Sequence, residues 1–146
     1  MSESIRNVVS AYLKEVTDIS LATIDSEGTP YCTVVAQVSE DDCLYFFTSP
    51  LSNKVKNIGV NPNVAFTANK PSGGWMSIKS VQMQGTATLV SDETEIGRIM
   101  EMLFGKFPLM KDMPTEGQPA IVKVSFTKGW FLDYTKGFSH RDAVTY

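Results

Sequence analysis

Apolar residues in this chain follow two periods, one near 3.6 residues and one of two, and the changes between them mark its elements. Ile5, Val8, Val9, Tyr12, Leu13 and Val16 fall at i, i+3, i+4, i+7, i+8 and i+11, the face of an amphipathic helix that Ser2 or Ser4 can cap. Ile19 to Ile24 then reads as a strand, Asp25 to Pro30 as a hairpin loop, and Tyr31 to Val38 as a second strand rich in Thr and Val. Glu40-Asp41-Asp42 forms a loop, and a tight hairpin there would set residues 39 and 43 opposite each other. Cys43 to Thr48 is the third strand, Ser52 to Ile58 a short helix, Asn61-Pro62-Asn63 a turn, and Val64 to Ala68 a fourth strand, so the order is that of a meander.

After a loop at Asn69 to Gly74, a long strand runs from Trp75 or Met76 to Val90, interrupted by Gly85, which predicts a bulge or a close backbone approach. Asp92 caps a helix through Phe104, with Glu93 and Glu95 at its positive end and Ile96, Ile99, Met100, Leu103 and Phe104 on its apolar face; Gly105 stops it. Lys106 to Pro119, with three prolines, reads as an extended loop packed down by Leu109, Met110 and Met113. Two last strands, Ala120 to Phe126 and Gly129 to Tyr134, precede a tail containing Gly137, Phe138 and His140. Six or seven mostly antiparallel strands with peripheral helices predict a mainly β fold, a sheet closing into a small barrel.

At 146 residues and 42% hydrophobic, the chain suits a single domain over 1–146. Its 13 Lys+Arg against 16 Asp+Glu are scattered, which disfavours a nucleic-acid partner and requires any anion to be bound locally. No apolar run reaches the roughly 18 residues of a membrane span, and the first residues lack a signal peptide's pattern, so the expectation is a cytoplasmic protein without a membrane partner. Cys32 and Cys43 make no C-x-x-C pair and are expected to be reduced structural thiols. The single histidine has no Cys or His cluster at ligand spacing, so no metal is expected.

The most informative stretch is Leu44 to Ile58, where an apolar strand runs through Thr48, Ser49 and Ser52 into a short helix beside Lys54. A helix N-terminus offers unpaired N–H groups and partial positive charge, hydroxyls add donors, and a lysine neutralises a phosphate oxygen. The same residues also suit an ordinary serine cap with a solvated lysine.

Taken together, Phe47-Thr48 at the strand end, Ser52-Asn53-Lys54 at the helix start, Asn61-Pro62-Asn63-Val64, and Lys79-Ser80-Val81 followed by Gly85 resemble the pyridoxamine 5′-phosphate oxidase-like, FMN-binding split-barrel flavoproteins. The resemblance covers roughly residues 5 to 134. It implies a six- to seven-stranded antiparallel split barrel and an FMN whose phosphate is held after Phe47 by Thr48, Ser49, Ser52, Asn53 and Lys54, with Asn53 where arginine is commoner. It further implies a flavin ring held against Thr33, Val34, Val35 and Ala36, partly through backbone groups, and Ser80 reaching the cofactor from the other subunit of a homodimer. From the residues alone, Thr33 to Ala36 reads equally as a buried strand, and Trp75 and Trp130 as core or interface anchors rather than flavin-stacking groups.

The activity implied is that of an FMN-dependent oxidoreductase reducing a small molecule with NADH, NADPH or another donor. Vitamin B6 oxidation is not expected, because the terminal tryptophan and spaced arginines of the true pyridoxamine phosphate oxidase have no counterpart after Trp130. Lys79-Ser80-Val81-x-x-x-Gly85 also resembles a nitroimidazole-reductase-like branch, although that branch's usual histidine near the phosphate loop is missing. An FMN electron carrier or redox sensor, and a split barrel turned to haem, are the non-enzymatic alternatives. His140 is the candidate catalytic proton donor, its unperturbed pKa lying near neutrality, and otherwise a residue of a mobile tail.

Overall fold

Ser4 opens the first helix, α1 (Ile5–Glu15), by accepting a hydrogen bond from the Asn7 amide, and the predicted stripe becomes a face on which Val9 and Leu13 are fully enclosed. The computed structural model describes residues 4–112 and 118–146. Ser2, the other candidate cap, and Met113 lie outside the described residues.

The strands are β1 (Asp18–Ile24), β2 (Pro30–Ala36), β3 (Val38–Ser39), β4 (Cys43–Thr48), β5 (Asn63–Asn69), β6 (Lys79–Leu89), β7 (Ala120–Asp133) and β8 (Arg141–Thr145). Helix α2 (Asn53–Val60) joins β4 to β5, and α3 (Glu93–Lys106) joins β6 to β7. Pairing is antiparallel throughout, in the order β2-β1-β5-β6-β7-β4-β3, with β8 added to β7. The outermost strands, β2 and β3, are neighbours in sequence, so the curled sheet brings its own ends together as the predicted split barrel. The order is not a simple meander, because β4 pairs with β7 across the intervening α2, β5, β6 and α3.

The expected second strand breaks at Gln37, and the cause is local. Its amide donates to Thr17 O at 3.1 Å, while its enclosed side chain donates to Leu13 O (3.0 Å) and Val16 O (2.8 Å), tying the end of α1 to the barrel. Ser39 faces Leu44 rather than residue 43, since the Glu40 amide donates to Cys43 O and leaves a turn one residue shorter than expected. Strand β4 is buried on both faces: Leu44 and Phe46 enter the barrel, while Cys43 and Tyr45 lie beneath Ile99 and Leu103 of α3. Arg98 bridges Glu40 and Glu95 over this seam, and Tyr45 donates to Glu40 at 2.8 Å. Burial pushes the Tyr45 phenol up, and the Arg98 hydrogen bond holds Glu40 below its ordinary pKa.

Helix α3 passes the expected stop at Gly105: Lys106 reaches the carbonyl end of α1, donating to Val16 O at 2.5 Å, and the Phe107 amide closes on Leu103 O. Strand β6 begins at Lys79, later than expected: Trp75–Ser77 forms a 3-10 turn in which the Ser77 amide and hydroxyl both donate to Gly74 O.

The two predicted last strands are one, β7. Its register slips between Gln84, opposite Lys128, and Gly85, opposite Phe126, leaving Thr127 as the extra residue of a bulge that bends the strand without ending it. A Cβ at Gly85 would sit 2.4 Å from Ser125 O, which is why that position is glycine.

The segment read as a tail is the strand β8. Because β4 pairs only with the first half of β7, the second half has a free edge, and residues 141–145 fill it, with Leu132 opposite Arg141 and Gly129 opposite Val144. Val144 is 5% exposed in the main core, and the Tyr146 ring stands edge-on to Phe126 at 5.4 Å. Arg6 reaches across from α1 to Thr145 O at 2.7 Å. Val144→Ala is therefore expected to lower stability by about 2 kcal/mol, read from the denaturant midpoint, an effect that a solvated tail would not give.

Candidate functional site

Strand β4 delivers Thr48 to a short turn, Ser49-Pro50-Leu51, and Ser52 caps α2. The Ser52 hydroxyl accepts from the Val55 amide at 3.4 Å and from Thr48 Oγ1 at 3.3 Å, while Ser49 Oγ accepts from the Leu51 amide at 3.2 Å. The amides of Asn53 and Lys54 have no partner among the described residues, as the opening of a helix dictates. No acidic residue stands in this first turn, and Lys54 is half-buried with no carboxylate within 4.0 Å among the described residues. Asn57 anchors the helix by donating to Thr23 Oγ1 at 3.1 Å, so α2 packs on the inner face of β1.

Thr33 shares that inner face, opposite Leu21 and two residues from Tyr31, which faces Thr23. Its hydroxyl is buried without a hydrogen-bond partner among the described residues, and so are Gln37 Oε1, Ser39 Oγ and the Tyr146 hydroxyl; of these, Thr33 lies in the predicted ring contact. The alternation of β2 divides the rest of the predicted ring contact: Val35 points inward with Thr33, while Val34, 68% exposed, and Ala36 lie on the outer face. Contact with all four is open only to the backbone, and β2, at the end of the sheet path, keeps one edge unpaired by any strand among the described residues. Phe47 packs into the cluster beneath α3 rather than toward α2.

One chain does not bring Ser80 to this seat. Ser80 pairs with Leu132 of β7 and Thr48 with Ala120, so twelve residues, or about 40 Å of strand, separate them along β7. His140 belongs to the Ser80 end, its carbonyl accepting from the Asp133 amide and its Nε2 lying 3.3 Å from Asp142 Oδ2. Sequence reasoning missed Thr23, Asn57 and Asp142. The i, i+2 spacing of His140 and Asp142 was the available signal for the last. The outer face of β1, β5 and β6 carries small residues, Ala22 and Ala65 among them, lining an apolar cavity of about 250 Å³ with Cys32 and Trp130.

The family description "Pyridoxamine 5′-phosphate oxidase" matches residues 5–133. The chain belongs to this family. Among proteins similar to this family member, human Protein CREG1 is 27% identical, the match covering 88% of the chain and 67% of CREG1. A heme binding protein from Mycobacterium smegmatis superposes with a TM-score of 0.80 at 15% identity over 99% of the chain, which spans only 59% of that protein's length. A proposed 5-nitroimidazole antibiotic resistance protein from Bacteroides thetaiotaomicron gives a TM-score of 0.65 at 19% identity, covering 86% of this chain and 81% of its own. The two structural likenesses carry the fold. Among the described residues, no helix is long and apolar enough to cross a membrane.

Proposed function

We propose that this family member is a flavoprotein that binds FMN at the start of α2 and, as a homodimer, reduces a small molecule with electrons from NADH, NADPH or a related donor. The observation that carries the reading is the seat itself: two helix amides, the Thr48 and Ser52 hydroxyls and half-buried Lys54, with no partner for the amides and no counter-charge for the lysine among the described residues, beside a hairpin whose inner face carries Thr23, bonded to Asn57, and the Thr33 hydroxyl, which has no partner among those residues either. The donor set suits a phosphate monoester and an adjacent polar group. Thr48, Ser49, Ser52, Asn53 and Lys54 would hold the phosphate, and Thr33 with the free edge of β2 would hold the ring. Bound there, FMN supplies hydride and electron transfer, while the protein binds it, orients it and limits access to one face.

The homodimer is supported by the division of the candidates, since Ser80 and His140 stand at the far end of β7 from Lys54 in any one chain. The apolar outer face with Val34 and Trp130 is a surface for a second copy. His140, paired with Asp142, is the group that would deliver a proton to substrate. A cytoplasmic setting is part of the proposal, supported by two unpaired cysteines. A second reading, haem binding, is favoured by the half-exposed His140 imidazole and the similarity to a heme binding protein.

Turnover discriminates among these. The expected result is that NADH or NADPH bleaches bound flavin and a nitroaromatic or quinone acceptor restores it over many cycles. Bleaching without repeated turnover would leave an electron carrier, and failure to hold flavin would remove the reading.

A further inference from the structure

Two large rings stand in solvent at the Ser80 end of the barrel, where the turn Trp75–Ser77 packs beside the turn Tyr134–Lys136. Trp75 is 60% and Phe138 72% exposed, yet they are ordered against each other, edge-on at 5.5 Å and 83°, and Phe138 is likewise edge-on to Tyr134 at 5.7 Å. The segment holding Phe138 is itself constrained. Ser139 adopts φ 63°, a left-handed conformation uncommon outside glycine, and the Gly137 and His140 amides close on Tyr134 O and Gly137 O at 3.1 Å each. Such a turn presents an aromatic shelf instead of burying it.

Beside the shelf lies a cavity of about 530 Å³ between α1, the loop at 70–73 and the ends of β7 and β8. The Tyr12 hydroxyl in its wall is locked, accepting from the Lys70 amide at 2.8 Å and donating to Lys79 O at 2.9 Å. Three lysines and three carboxylates line it, and the carboxylates are already engaged. Glu15 pairs with Lys70, and Asp142 with His140. Asp133 accepts from the Thr135 amide and hydroxyl; burial pushes its pKa up, and those hydrogen bonds with nearby Lys79 and Lys136 more than offset it. Lys79 and Lys136 have no carboxylate within 4.0 Å among the described residues.

We infer that this end of the molecule binds a nucleoside 5′-phosphate, its base stacked on the Trp75–Phe138 shelf and its phosphate held by Lys79 and Lys136. Any base has a face to stack on an exposed ring. A phosphate monoester carries up to two charges near neutrality, matching the two available ammonium groups. The volume lies within the range of small-molecule sites. The inference deepens the proposed reductase reading, because the non-reacting half of a nicotinamide dinucleotide is such a group, and it does not depend on FMN being bound at α2.

Calorimetric titration of the protein, with and without added FMN, tests it using AMP, adenosine and inorganic phosphate as probes. AMP is expected to bind in both conditions, with adenosine and inorganic phosphate each at least about tenfold weaker, the worth of one charge-assisted contact. Trp75→Ala and Lys136→Gln, both at the surface, should each weaken AMP by a similar factor and leave FMN binding unchanged. Equal affinity for AMP and adenosine, absence of AMP binding at millimolar concentration, or insensitivity to both substitutions would overturn the inference. So would displacement of AMP by FMN, which would make the shelf part of the flavin site, or dissociation of the dimer by Trp75→Ala, which would make a second copy its occupant. Failure of FMN to bind while AMP binds normally would count against the flavin reading alone.

Discussion

Gly129→Ala is expected to lower stability by about 3 kcal/mol, the upper part of the range for overpacking a tight contact, and the melting temperature by about 10 °C. The reason is the close pairing of β6 and β7 beside the bulge. A Cβ at this position would stand 2.1 Å from Gln82 O, 2.9 Å from Met83 Sδ and 3.0 Å from Met83 Cα. The methionine sulfur can move, but the carbonyl belongs to a strand paired on both sides. Gly97, in α3, is the control: nothing lies within 4 Å of its Cβ position, so Gly97→Ala should be neutral or stabilising by up to about 1 kcal/mol through helix propensity. Thermal unfolding followed by circular dichroism reads both. An unchanged midpoint for Gly129→Ala would mean that the two long strands do not approach as described.

The second large effect concerns the cofactor. Lys54→Ala is expected to weaken FMN binding by about 1.5–3 kcal/mol, the worth of a hydrogen bond to a charged group, which is roughly 10- to 150-fold in affinity. Riboflavin, lacking the phosphate, should bind the variant and the native protein alike. Asn53 occupies the helix position next to Lys54, so the lysine is the first-turn cation of α2, and no carboxylate in that turn competes for it. Asn53→Arg should correspondingly tighten FMN without affecting riboflavin. Fluorescence titration of both flavins decides the matter, and equal losses for FMN and riboflavin in Lys54→Ala would take that residue out of the phosphate site.

Local periodicity made the helices, the strand β4 and the close backbone approach at Gly85 legible, because each is set by residues near in sequence: an apolar stripe, a capping serine or aspartate, a lone glycine in a strand. The features that escaped depend on distant partners. Gln37 ends a strand only because the carbonyls of Leu13 and Val16 are there to receive its side chain. Residues 141–145 form a strand only because β4 leaves half of β7 unpaired, which no local pattern can reveal. Thr127 looks like a turn residue and is absorbed into a bulge.

The candidate site divides along the same line. Thr48, Ser52 and Lys54 come together because they are adjacent in sequence across a strand–helix junction. Thr33 lies on the same face of the β1–β2 hairpin as Thr23, which Asn57 of α2 holds, an arrangement that sequence did not announce. Ser80 and His140 stay at the other end of the barrel, and only a second chain could bring their counterparts to the seat.

The central claim is that the seat at α2 holds FMN. The most direct measurement is the visible absorption spectrum of the purified protein, followed by denaturation and chromatography of the released chromophore. The account predicts flavin bands and the release of FMN, one per chain, or stoichiometric uptake of FMN if the protein is purified without it. A Soret band, or a colourless protein that does not take up added FMN, would contradict it.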